Sequence, residues 1–347
     1  SGTVGSVQNF VQGSLTDSTD PLDIAIDGKG FFRMMQNGEA VFTRNGQFSV
    51  DKQGYIVNTD GDQLTGYGIQ AGTLETITKS ALVPLKIDSG DVYPPTATAN
   101  IVMRTSLDCR KTLPTGTFNI SDATTYNDTS TMVVHDAKGT PLTLQAYYVK
   151  TSAGWDLNLY KNGAPVVSGS PMSFVFNTDG SLDKTLSGTN GKYTFNAGTD
   201  ADPQTITLDL SETTAYSAPF SAVMTSHDGV ELGTISSYEV NSEGKIVASY
   251  TNGKQKTLGQ VILANFSNPT ALTIKDNNQW LATDGSGPAQ IYIPGVDGTG
   301  VIKGFSSEDS NVDLSSEMIK LIAAQRAFQS SAEVIKREDE NLQTLVN

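Results

Sequence analysis

Ten positions near the C-terminal end, Leu314, Met318, Leu321, Gln325, Phe328, Ala332, Ile335, Asp339, Leu342 and Val346, follow one another at alternating spacings of four and three residues. That is the repeat of a heptad seam. No Gly or Pro interrupts residues 313–347, and helix formers fill the positions between. Asp313 stands where an N-cap carboxylate accepts the free amides of the first turn. Read as one helix of about 34 residues, the segment is roughly 50 Å long at about 1.5 Å per residue. A stripe of that length needs another helix against it, and nothing before Asp313 reads as one. Folding back over the chain's own sheet is the simpler arrangement, but the seam is longer than the face of a small β-domain, which favours assembly with another molecule. Without its partner the helix is expected to fray, project, or pack on another copy. Gln325 and Asp339, polar within the seam, are candidate register-setters for a helix bundle.

The rest of the chain reads as strands and turns, rich in 33 Gly and 13 Pro. Val50-Asp51-Lys52-Gln53-Gly54-Tyr55, Val134-His135-Asp136-Ala137-Lys138-Gly139, Phe176-Asn177-Thr178-Asp179-Gly180 and Val240-Asn241-Ser242-Glu243-Gly244 each place Asp or Asn three residues before Gly. An Asx side chain opens such a turn and the Gly closes it in the left-handed region. Lys161-Asn162-Gly163-Ala164 is the two-residue hairpin version. Leu22-Asp23-Ile24-Ala25-Ile26 alternates as a half-buried strand, and Asp27-Gly28-Lys29-Gly30 is expected to turn it into a hairpin with Phe31-Phe32-Arg33-Met34. Pro94-Pro95-Thr96-Ala97 and residues 213–219 read as extended crossings. Between them lie the strand-like runs around Met132, Leu142–Val149, Trp155–Tyr160, Phe174–Phe176 and Ile206–Leu210.

The expected fold class is therefore mainly β: two antiparallel β-domains, one inserted in the other, plus a long C-terminal α-helix. Residues 1–20 are an extended segment on the outer domain, anchored by Val7, Phe10, Val11 and Leu15. The outer domain takes 21–96 and 215–305, the inserted domain 97–214, and linker and heptad helix 306–347.

Composition narrows the chemistry. A formal net charge of -14 opposes binding to phosphate backbones, so no nucleic-acid partner is expected. No apolar run reaches the roughly 18 residues of a membrane span. The first thirty residues lack a basic segment followed by an apolar one, so a soluble chain without a secretion signal of that kind is expected. The single cysteine, Cys109, makes no internal disulfide, and with Arg110 and Lys111 beside it could be reactive, but it reads as incidental. The two histidines, His135 and His227, lie in turn-like surroundings without a nucleophile motif, and one Cys with two separated His gives no zinc spacing. Asn58-Thr59-Asp60-Gly61-Asp62 begins like a calcium loop, but Tyr67 stands where the later acidic ligand belongs. The carboxylate pairs Asp200/Asp202 and Glu308/Asp309 read as surface charge. No cofactor, metal or catalytic residue is expected.

Two longer stretches carry a resemblance. Leu22-Asp23-Ile24-Ala25-Ile26-Asp27-Gly28-Lys29-Gly30-Phe31-Phe32, then Phe42-Thr43-Arg44-Asn45-Gly46-Gln47-Phe48 and Gln63-Leu64-Thr65-Gly66-Tyr67, resemble the amino-proximal signature of bacterial flagellar rod and hook proteins. Asn311-Val312-Asp313-Leu314-Ser315-Ser316-Glu317-Met318 and Ala324-Gln325-Arg326-Ala327-Phe328-Gln329 resemble their carboxy-terminal signature, with Ser331 where an Asn is usual. The large inserted domain is similar to the hook branch and unlike the shorter distal rod proteins, which are the alternative. The resemblance implies a non-enzymatic subunit of a tubular hook polymer that transmits motor torque from rod to filament while bending. It implies self-association, contacts with rod, hook cap and hook-filament junction proteins, and passage through the flagellar type III export apparatus to an extracellular site. It also implies an amino-terminal helix upstream of Ser1 that packs against the seam. A β-rich carbohydrate-binding module, with Trp155 or Trp280 as sugar platform, is the alternative of a different class; it leaves the heptads unexplained.

Overall fold

The computed structural model describes residues 8–167, 171–199, 202–275 and 277–346, with side chains as far as Glu338. One kind of turn recurs along it. At Asp51, Asn58, Asp136 and Asn241 a side-chain oxygen accepts the backbone N–H groups two and four residues on, at 2.7–3.1 Å. The Gly three residues on donates its N–H to the Asx carbonyl, with φ between +76° and +90° in the four turns. The stretch that begins like a calcium loop is thus one more turn of this kind, centred on Asn58. Asn162-Gly163 turns the chain with both φ positive, and Asn37-Gly38, a signal overlooked in the sequence, does the same.

The chain divides into two units. The first takes the residues up to Asp91, then Ser236–Ser249 and Gln255 onward. Its strand Phe31–Gln36 pairs antiparallel with Glu39–Thr43, Gln63–Ile69 and Leu263–Asn265. The expected hairpin between the first two strands does not form. Ile24–Asp27 runs instead antiparallel to Val301–Gly304. The reason lies in the turn: Gly28 and Gly30 have φ of +120° and +130°, and a Cβ on Gly28 would stand 2.7 Å from the Cα of Gly300. These glycines carry the chain from one strand partner to another, which brings residues near 24 and near 304 together.

Ile24, Ile26, Phe32, Met34, Leu64, Leu85 and Ile262 are buried in this unit. Phe31, Phe42 and Phe266 form a second cluster, and Phe10 and Trp280 pack onto it edge to face, with ring centroids 4.8–5.9 Å apart. Phe10 thereby anchors the early extended segment, whereas the Val11 side chain is exposed and does not; Val7 lies outside the described residues.

The second unit takes Val92–Ile235 with Tyr250–Lys254. One of its sheets is an antiparallel set of Asp128–His135, Pro141–Lys150, Trp155–Lys161 and Met172–Phe174. The other is built on Asn100–Asp108, antiparallel to Ser221–His227. Here the all-antiparallel expectation needs a local correction: Thr205–Asp209 and Thr214–Tyr216 pair parallel to Asn100–Asp108. A long excursion through the first sheet separates these strands, so the chain can return in the same direction. Residues 213–219 accordingly hold a strand of this unit rather than a crossing, and the chain leaves it near Ile235. Alternate residues Leu144, Ala146 and Tyr148 face inward with Leu157, Leu159, Ile101 and Leu208. Trp155, at 2% exposure, belongs to this core and offers no ring face to a sugar.

Candidate assembly interface

The C-terminal segment is one α-helix, Leu314–Val346, of 33 residues. Asp313 caps it: Oδ1 accepts the N–H of Ser315 at 2.9 Å and Oδ2 the hydroxyl of Ser316 at 2.9 Å. These hydrogen bonds, the Ser316 hydroxyl first, hold its carboxyl below the usual carboxylate range. From Leu314 to Glu338 every side chain is exposed. Leu314, Met318, Leu321, Phe328 and Ile335 lie on one stripe with 58–77% of their surface open, and Gln325 and Ala332 stand between them. The side chains of Asp339, Leu342 and Val346 lie outside the described ones. Ile319, Ile322 and Val334, off the seam, are also exposed, so the apolar surface is broader than the two positions per heptad read from the sequence.

The segment that leads into this helix is held by contacts from distant parts of the chain. Leu15–Asp17 and Ser306–Glu308 form a two-stranded antiparallel ribbon. Just beyond it, Asn311 Nδ2 donates to the carbonyls of Asn9 and Val11 at 3.1 and 2.6 Å. Arg44 lies at the centre. Its Nε and Nη2 donate to Glu308 Oε2 at 3.0 and 2.8 Å, and its Nη1 to the carbonyls of Gly28 and Gly30 at 2.8 and 2.9 Å. Glu308 Oε1 accepts the N–H of Gly13 at 3.0 Å. Both side chains are largely buried, at 15% and 10% exposure. Glu308 is therefore not free surface charge, which corrects the sequence reading. It joins the early segment, the glycine turn and the last strand before the helix.

Several signature residues gain a physical reason. Leu22, Ala25, Ile26, Phe31, Phe32 and Phe48 are core residues. Asp23 Oδ2 accepts the hydroxyl of Ser18, and its carbonyl accepts the N–H of Ser306. Gly46 and Gly66 are sites of close approach: a Cβ there would stand 1.6 Å from the carbonyl oxygen of Ile24 and 2.1 Å from that of Gln260. Arg326, beside Gln325, is exposed on the helix. The sequence marks Glu308 only as surface charge, although an acid three residues before Asn311 together with an Arg in the other signature was a usable signal for the pair with Arg44.

No group of three or more His, Cys, Asp or Glu residues converges to hold a metal ion among the described residues, and no described helix is long and apolar enough to cross a membrane. Cys109 is exposed, 3.3 Å from the Ser217 hydroxyl. Asp62 is buried and accepts from Gln279 Nε2 at 2.6 Å and Asn58 Nδ2 at 3.1 Å.

Comparison with known proteins agrees with this layout. Residues 25–102 match the flagellar hook protein FlgE/F/G D1 domain, 106–230 the flagellar basal body protein FlaE D2 domain, and 303–347 the flagellar basal body rod FlgEFG protein C-terminal family. The flagellar hook protein FlgE of Salmonella typhimurium is 35% identical over 353 residues, an alignment covering 99% of this chain and 86% of that protein. The chain belongs to the flagellar hook protein family. The Escherichia coli hook protein is 34% identical over the same shares, and that of Brucella suis 30% identical over 97% of this chain and 82% of its own length. The crystal structure of Helicobacter pylori flagellar hook protein FlgE2 shares the fold, with a TM-score of 0.53 at 14% identity over 83% of this chain and 99% of that one. As a hook-family protein the chain is a structural subunit of the flagellar hook, and its relatives are structural proteins.

Proposed function

We propose that this hook subunit joins its neighbours through the exposed face of Leu314–Val346, in a tubular polymer that carries torque from rod to filament while it bends. The seam residues Leu314, Met318, Leu321, Phe328 and Ile335, with Ala332 and Gln325 between them, pack against helices of neighbouring copies. Asp339, Leu342 and Val346 continue the same stripe by spacing. The observation that carries the proposal is an apolar helix face, open over its described length, on a base braced by Arg44, Glu308 and Asn311. An apolar seam makes close, lasting contacts, whereas Thr-, Ser- and Asn-rich β-surfaces slide on one another at small cost. Torsional stiffness then resides in the helices and bending compliance in the β-units, of which residues 97–214 form the middle of the second.

The subunit reaches its site unfolded, through the flagellar type III apparatus. A single Cys leaves no internal disulfide to delay unfolding. Rod, hook cap and hook-filament junction proteins are its partners at the ends of the polymer. The experiment is replacement of Leu321 by Asp in cells deprived of their own hook subunit. The expected outcome is exported, folded subunit and no hooks by electron microscopy; normal hooks would refute the role of the seam.

A further inference from the structure

The chain's two histidines, distant in sequence, are neighbours in the fold. His135 ends the strand Asp128–His135 and His227 ends Ser221–His227, strands of the two different sheets of the second unit. Their ring centroids lie 6.4 Å apart with planes tilted by 34°.

Both backbones are fixed. The N–H of His135 donates to Thr98 Oγ1 at 2.9 Å, and its carbonyl accepts from the Thr98 N–H at 2.9 Å and Gln204 Nε2 at 2.8 Å. His227 stands opposite Ile101 in the strand pair, and the next residue, Asp228, accepts from Ala99 N–H, Asn100 N–H and Asn100 Nδ2 at 2.7–2.9 Å. The Nδ1 of His135 is buried and has no hydrogen-bond partner, so a metal at this ring would bind through Nε2. His227 is exposed.

We propose that His135 and His227 form a two-imidazole site for a divalent transition metal such as Zn2+ or Ni2+, which ties the two sheets of the second unit together. An imidazole nitrogen binds such an ion at about 2.0–2.1 Å, so each ring centroid lies about 3.2 Å from the metal. Two rings on one ion then stand about 5–6.5 Å apart, depending on the angle between them. The observed separation is at the upper end of that range, and rotation of the exposed His227 side chain closes the angle. Imidazole suits zinc, copper and nickel, whereas calcium and magnesium require oxygen. Asp228 is committed to its three donors, so water fills the remaining positions. Nδ1 of His135 also lacks the hydrogen bond that orients most metal-bound imidazoles. Both features make this a weak, exchangeable site, dispensable for folding. Bound metal nevertheless stabilises the folded unit by mass action.

The test is calorimetric titration of NiCl2 and ZnCl2 into the untagged chain carrying Cys109→Ser, which removes the competing thiol, at mildly alkaline pH. His227→Ala and His135→Gln are made in the same background. The expected result is one ion per chain and a Tm raised by metal and restored by EDTA. Each histidine replacement should weaken binding by at least about tenfold, since it removes one of two protein ligands. His227 is exposed, so His227→Ala should keep the fold, which circular dichroism checks. Absence of binding in the parent, or equal binding and an equal Tm rise in His227→Ala, overturns the site.

Discussion

Arg44 answers to three segments at once, and that makes it the residue on which the base of the helix depends. Its guanidinium satisfies Glu308 and two carbonyls of the glycine turn, while Glu308 holds Gly13. Removing one partner of a largely buried pair leaves the other charge uncompensated. We expect Arg44→Met to destabilise the first unit by about 2–3 kcal/mol, seen as a lower denaturant midpoint at unchanged slope. Arg44→Met with Glu308→Leu should recover part of that loss; a double variant as unstable as the sum of the two singles would mean that the pair is not coupled. Asp128 makes the opposite case. Burial, only partly offset by Lys111, raises its carboxyl above the usual value, and Oδ2 has no partner. A raised folded-state value means that its stabilising contribution is full in acid and is lost as pH rises through it. Asp128→Asn should therefore gain Tm relative to the parent at neutral pH, with the gain shrinking on acidification towards the ordinary carboxylate range. A gain that grew in acid would refute this.

At the scale of elements, the helix unites a capped start, a length of 33 residues and an apolar face that is exposed over its described side chains, as far as Glu338. Most helical stability in proteins comes from packing of an apolar face, so this one awaits its packing. Phe328→Asp should abolish polymerisation, because burial of an apolar side chain contributes about 1.5–3 kcal/mol per copy and a charge in its place costs more. Near-ultraviolet circular dichroism should show the β-units intact; loss of their signal would assign Phe328 a role in folding instead. The cap adds a pH term. Asp313 is held below the usual carboxylate range, so its support is present above that range and is lost as pH falls through the depressed value. Helicity at low salt should fall in that acid window in the parent and stay flat in Asp313→Asn, which caps without titrating.

For the whole molecule, charge opposes assembly and the helix favours it. With a formal net charge of -14, each copy repels the next, and salt screens that repulsion over a Debye length of about 10 Å at 0.1 M. The rate of polymerisation of an assembly-competent subunit should rise with moderate NaCl, measured by light scattering; a steady decline would show that ion pairs between subunits dominate.

The sequence by itself determined the features that depend on near neighbours. The Asx-to-Gly spacing at Asp51, Asp136 and Asn241 specified turns, because both partners of the hydrogen bond lie within four residues. Alternation through Leu144, Ala146 and Tyr148 specified an inward face, and the 4/3 spacing after Asp313 specified one long helix with an apolar stripe. Only the tertiary structure decided what depends on partners far along the chain. Ile24–Asp27 takes Val301–Gly304 rather than the next strand, and Thr214–Tyr216 lies parallel to Ser106–Asp108. Glu308 meets Arg44, and His135 meets His227. Each of these pairings competes with nearer alternatives of similar local propensity. The choice falls to burial and close approach, such as Gly28 against Gly300, which exist only once the sheets have closed.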